Sequence, residues 1–167
     1  MNKLIFQHFS ILRSNIGALK KLIIIFFAVL TLQVNAEEAA SKLYENALIA
    51  FQNEEIETSI IHLKNALQQQ KDHLPSRILL AQALLEQGNG ALAEIELDKA
   101  RLDNADKNRL VTLYAHAYVL QHKYDDVMRV TKAGNRGNKI ETELLIYKGQ
   151  AQIGQKLYRS ADNTFAE

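Results

Sequence analysis

The chain has 167 residues, 47% of them hydrophobic, 7% aromatic and 23% charged, with one proline, seven glycines and neither tryptophan nor cysteine. Such a composition is that of a globular chain and excludes collagenous, low-complexity and disordered classes. The absence of cysteine excludes a disulfide framework, a thiolate zinc site, a cysteine nucleophile and an acylated lipoprotein N-terminus.

Charge is unevenly placed. Residues 1–36 hold Lys3, Arg13, Lys20 and Lys21 and no acidic residue. The other 16 basic residues therefore face all 19 acidic ones, and residues 37–167 carry a net charge of −3. A mildly acidic body argues against nucleic-acid binding, which needs a basic stripe to displace phosphate counterions.

The chain opens on a targeting pattern. Lys20-Lys21 precedes an uncharged run from Leu22 to Leu32, then Gln33-Val34-Asn35-Ala36 and the acidic pair Glu37-Glu38. A basic stretch, a short apolar stretch and small residues at the end are the parts of a secretory signal, with cleavage expected after Ala36. The apolar run is short for a bilayer span. An uncleaved anchor is the alternative, with Ile5, Phe6, Phe9, Ile11, Leu12 and Ile16 lying as an amphipathic helix at a membrane surface. A translation start upstream of the true one would produce the same long head. Either way the expectation is an exported body, periplasmic or anchored in the inner membrane and facing the periplasm, that meets a membrane only through residues 1–36.

From Ala40 onward the sequence repeats at an offset of 34 residues, with starts at Ala40, Leu74, Asn108 and Thr142. The expected units are 40–73, 74–107, 108–141 and 142–167 within a domain of 37–167. The eighth place of each unit is small: Ala47, Ala81, Ala115 and Gly149. The twelfth is apolar, with Phe51, Leu85, Val119 and Ile153, and the twentieth holds Ser59, Ala93, Val127 and Ala161. The twenty-fourth holds Leu63, Leu97, Thr131 and Phe165, and the twenty-seventh Ala66, Ala100 and Gly134. Helix-period spacing runs through Leu80, Leu84, Leu92, Ile95, Leu97 and Leu102, with no lasting alternation of period two. Each unit thus reads as two antiparallel helices that approach where small side chains meet. Ala47, Ala81, Ala93, Ala115, Gly149, Ala161 and Phe165 are the expected packing residues. Pro75 suits a first helical turn. Gly88-Asn89-Gly90, Gln121-His122-Lys123 and Gly154-Gln155-Lys156 are the expected breaks between paired helices.

The period and the small–large pattern resemble the tetratricopeptide repeat (TPR) family. The matching pieces are Leu80-Ala81, Gly88, Ala93-x3-Leu97 and Ala100 in the second unit, Ala115-x2-Tyr118 and Tyr124 in the third, and Gly149, Tyr158 and Ala161-x3-Phe165 in the fourth. The family's tryptophan is replaced by Leu43, Arg77, Val111 and Leu145. The proline near each unit's end is missing. The resemblance implies an all-α solenoid of about 3.5 to 4 helix pairs coiled as a right-handed superhelix, and a protein or peptide partner laid along the first helices. It places Tyr44, Leu48, Ile78, Gln82, Arg109, Thr112, His116, Ile146 and Gln150 on that inner groove. Because the fourth register stops at Glu167 partway along a second helix, the expectation is a longer array. Ile60-Ile61-His62-Leu63-Lys64-Asn65-Ala66-Leu67-Gln68, Ala81-x-Ala83-Leu84-Leu85-Glu86-Gln87-Gly88 and Lys148-Gly149-Gln150-Ala151 resemble the exported TPR protein of exosortase/PEP-CTERM systems, which accompanies exopolysaccharide loci in Gram-negative bacteria.

Chemistry is sparse. Nucleophile-elbow, H-E-x-x-H, Walker A and dinucleotide motifs are absent. The five histidines, His8, His62, His73, His116 and His122, form no i,i+4 pair, so they read as scattered polar residues and not as metal ligands. Gly134-Asn135-Arg136-Gly137 reads as a turn between units. Glu54-Glu55 and Asp125-Asp126 read as helix caps before second helices, not as an acid–base pair. Tyr114, Tyr118, Tyr124 and Tyr158 sit at packing places. The expectation is a non-enzymatic scaffold without cofactor or metal. A polysaccharide-acting enzyme and an RNA-binding repeat are the remaining alternatives.

Overall fold

The computed structural model describes Phe26 and residues 35–166, and the targeting pattern lies almost wholly outside them. The chain divides into two units, Met1–Ala39 and Ala40–Glu167, and the second carries the repeats. Its helices are α1 (helical over the described residues 35–52, with 40–52 in this unit), α2 (Ile56–Gln69), α3 (Leu74–Glu86), α4 (Gly90–Leu102), α5 (Lys107–Leu120), α6 (Tyr124–Val130), α7 (Asn138–Gly154) and α8 (Tyr158–Phe165). There is no strand among the described residues. Consecutive helices pack in pairs, and the first helices of successive pairs also touch, α3 with α5 and α5 with α7. The arrangement is a TPR-type helical solenoid. Among the described residues no helix is long and apolar enough to cross a membrane.

The 34-residue register is written in the backbone. Glu54, Gly88, His122 and Lys156, all at the fifteenth place, adopt left-handed φ of 63°, 76°, 57° and 62°. In each unit the next N–H donates to the carbonyl five residues back: Glu55 to Ala50, Asn89 to Leu84, Lys123 to Tyr118 and Leu157 to Gln152. This double hairpin of hydrogen bonds satisfies the orphan carbonyls at the end of a first helix and reverses the chain. Only one of the four positions is glycine, so the closing hydrogen bonds hold three ordinary side chains in a region they disfavour.

Close packing follows the small residues. Ala47, Ala81, Ala93 and Ala115 are fully buried, Ala161 is 3% exposed and Gly149 is buried. In the first pair the Ser59 hydroxyl donates to the Ala47 carbonyl at 2.9 Å, which joins the twentieth place to the eighth directly. A β-carbon on Gly149 would lie 2.2 Å from the Phe165 ring, so that ring fills the space a larger residue would need, although Phe165 itself is half exposed. Leu84, Leu85 and Leu97 are buried as the helix period requires, whereas Leu92, Ile95 and Leu102 of the same periodic set face solvent. On α4 the covered stripe is narrow, running through Ala93, Leu97 and Ala100.

Between pairs, size is exchanged across one contact. In the second pair the seventeenth place is Gly90, and a β-carbon there would meet the Ala117 carbonyl at 2.7 Å and Leu120 Cβ at 2.9 Å. In the third pair that place is Tyr124, and its partner at the thirteenth place of the next unit is Gly154, where a β-carbon would sit 2.2 Å from the tyrosine ring. Large meets small both times, in opposite order. Because Gly90 opposes backbone, Gly90→Ala should lower stability by about 1–3 kcal/mol, the usual cost of overpacking. Gly154→Ala opposes a ring that can rotate away and should cost less. Urea unfolding of the two variants checks the ordering.

One expectation needs correction. Acidic pairs do not cap second helices: Glu54 holds the left-handed turn, Glu55 precedes α2 without a side-chain cap bond, Asp126 pairs with Arg129, and Asp125 accepts from the Gln155 amide at 2.9 Å. Among α2 to α8 the side-chain cap is Asp106, which accepts from the Asn108 N–H at 2.9 Å. The third unit ends loosely, as Thr131 at a core place and the turn at Gly134-Asn135-Arg136-Gly137 lead one to expect, and its second helix stops at Val130 after seven residues. Thr131 at the leucine place turns its hydroxyl back onto the Val127 carbonyl at 2.8 Å. The following loop is fastened by Arg136, which bonds Glu141 at 2.9 Å and the carbonyls of Val130 and Lys132, and α7 then starts at Asn138, four residues ahead of the Thr142 register mark.

Candidate interaction site

The first helices α3, α5 and α7 stand side by side, so residues one turn apart on each helix form a continuous wall. Ile78 does not belong to its surface. It is 4% exposed and is part of the core, packed with Leu79 and Leu80. Tyr44 and Leu48 are partly buried against the same core, and the Tyr44 ring meets His73 edge-on at 5.8 Å. Gln82 and Thr112 are partly buried and Arg109 is exposed.

The residues His116, Ile146 and Gln150 do come together. With Val119, Leu120, Glu143 and Tyr147 they line a cleft of about 480 Å³ between α5 and α7. The His116 and Tyr147 rings stack at 5.3 Å with 22° between planes. Burial holds the His116 imidazole below its ordinary pKa, opposed by the Glu86 carboxylate, so the ring is neutral at neutral pH. Burial raises the Tyr147 hydroxyl, and the negative charges of Glu143 and then Glu86 raise it further. Both charges acting on Tyr147 are therefore carboxylates.

Tyr147, Val119 and Leu120 escape the sequence reading, and the reason is local. Val119 occupies the uniformly apolar twelfth place and reads as core, yet it is only partly buried where α7 leaves the cleft open. Tyr147 stands at the sixth place, which Leu79 and Leu113 fill in the preceding units. A ring where the neighbours have leucine was the available signal.

Burial thus disfavours the charged form of both stacked rings, the imidazolium of His116 and the phenolate of Tyr147. Among the described residues no group of three or more histidine or acidic side chains could hold a metal ion.

The chain matches no curated protein and no solved structure. Residues 50–117 match the family model described as Tetratricopeptide repeat, a stretch that runs from the end of α1 into α5. That stretch is thus a tetratricopeptide-repeat segment, set within helix pairs that share its turn and its packing register.

Proposed function

We propose that the chain is a non-enzymatic scaffold, exported to the periplasm, that holds a protein segment along the inner face of its first helices. TPR repeats typically mediate protein or peptide interactions, and residues 50–117 carry them. The observation that supports the placement is the cleft between α5 and α7, whose lining combines apolar Val119, Leu120 and Ile146 with polar Glu143 and Gln150. A lining of that kind suits an extended or helical segment, whose apolar side chains supply affinity while the polar groups set orientation. Export is supported by the Lys20-Lys21 pair, the apolar run and Ala36. The resemblance of Ile60–Gln68, Ala81–Gly88 and Lys148–Ala151 to exosortase-associated TPR proteins favours a role in envelope or exopolysaccharide assembly.

Replacing Gln82 and His116 together with alanine should leave helicity intact and weaken capture of the partner by about fivefold or more, the loss expected on removing one contact worth over 1 kcal/mol. A photo-crosslinking residue at Gln150 should label the partner, and one at Leu102, 74% exposed on a second helix, should not. Labelling at Leu102 alone would move binding to the outer face. N-terminal sequencing of the product from the envelope fraction should begin at Glu37.

A further inference from the structure

The cleft has an uncompensated charge. Glu143 lines it, and Glu86 is close enough to act electrostatically on both His116 and Tyr147. Neither carboxylate is ion-paired among the described residues, although Glu96, Glu94 and Glu141 each have a lysine or arginine partner. The other partly buried acids of the described residues, Glu94, Glu96, Asp126 and Glu141, each have a basic partner, whereas the partly buried Glu143 has none and the exposed Glu86 adds a second carboxylate beside the stacked ring pair.

We propose, resting on the scaffold reading above, that the α5–α7 cleft is the receptor for an arginine side chain carried on an apolar stretch of the partner protein. Charge complementarity selects a cation. The carboxylate of Glu143 can take two guanidinium N–H groups side by side, and the Gln150 amide oxygen can accept another. The stacked His116 and Tyr147 rings offer a planar neighbour to a planar, weakly hydrated cation, which favours arginine over lysine. Val119, Leu120 and Ile146 would cover the methylene stem and the apolar residues beside it. A volume of about 480 Å³ holds one such side chain together with part of its flanking backbone.

The test uses labelled peptides with a central arginine between leucines, against counterparts with lysine, glutamine or glutamate in its place, titrated onto the purified protein by fluorescence anisotropy. The arginine peptide should bind about tenfold tighter than the glutamine peptide, with lysine between them and glutamate weakest. Glu143→Gln should reduce the arginine peptide to the glutamine peptide's affinity and leave the glutamine peptide unchanged. Added salt should weaken the arginine peptide selectively. Equal binding of the arginine and glutamine peptides overturns the arginine receptor while keeping the groove as the binding face, as does a Glu143→Gln variant that weakens all peptides alike. Binding by none of the peptides counts against both the receptor and the groove.

Discussion

Ala93→Glu should abolish the fold of the second helix pair and loosen its neighbours. Ala93 is fully buried at the twentieth place of its unit, the position that in the first pair hydrogen-bonds the opposing helix backbone through Ser59. A glutamate there must either carry an unpaired charge into a dry contact or push α3 and α4 apart. Either outcome costs more than about 4 kcal/mol, a large part of the 5–15 kcal/mol that holds a domain together. The damage spreads because each pair covers the next: α3 is also packed on α2 and α5, and α4 on α5. Ala91→Glu is the control, since Ala91 is exposed in the first turn of the same helix, where a negative charge is neutral or slightly favourable. Far-UV circular dichroism and urea unfolding should show Ala93→Glu largely unfolded and Ala91→Glu close to wild type. An Ala93→Glu protein with undiminished helicity and midpoint would refute the packing register.

How much of this was legible in the sequence depends on the range of the interaction. Helix identity and the turn positions are local, and the 34-residue recurrence repeats the local signal, so the breaks at Gly88, His122 and Lys156 could be placed from residue types alone. The tight contacts were legible because Ala47, Ala81, Ala93 and Ala115 recur in register. What could not be read was how far each side chain is covered by a helix distant in sequence. Ile78 and Ile146 hold the same fifth place, yet α3 is covered on both sides and Ile78 is core, whereas Ile146 borders the cleft and is 48% exposed. The early end of α6 was legible in Thr131 and Gly134, neither of which can extend the apolar stripe, but the way Arg136 secures the following loop rests on bonds that no periodicity encodes. The exchange of size between Gly90 and Leu120, then Tyr124 and Gly154, is likewise invisible until the thirteenth and seventeenth places are known to touch.

Arg77→Ala should lower stability by about 2–3 kcal/mol, the second largest single effect expected after Ala93→Glu. Arg77 occupies the place where the TPR pattern has tryptophan, and it is 8% exposed. Its Nε donates to Asp103 at 3.1 Å, its Nη1 to Glu96 at 2.9 Å, and its Nη2 to the Lys71 carbonyl, so one guanidinium joins the loop before α3 to both the middle and the end of α4. Removing it strands two carboxylates. Glu96 keeps Lys99 at 2.7 Å, and Asp103, with a third of its side chain exposed, can rehydrate, which places the loss below the 3–5 kcal/mol of a fully buried broken pair. Arg77→Met separates the two roles that share this position. If the charge network is what matters, methionine restores the volume but not the bonds, and stability should fall by nearly as much as with alanine. Adding Glu96→Gln and Asp103→Asn to Arg77→Met should then recover most of the loss, because the stranded charges go with their partner. If Arg77→Met alone is as stable as wild type in urea unfolding, the side chain acts as an apolar wedge like the tryptophan it replaces, and the network contributes nothing measurable.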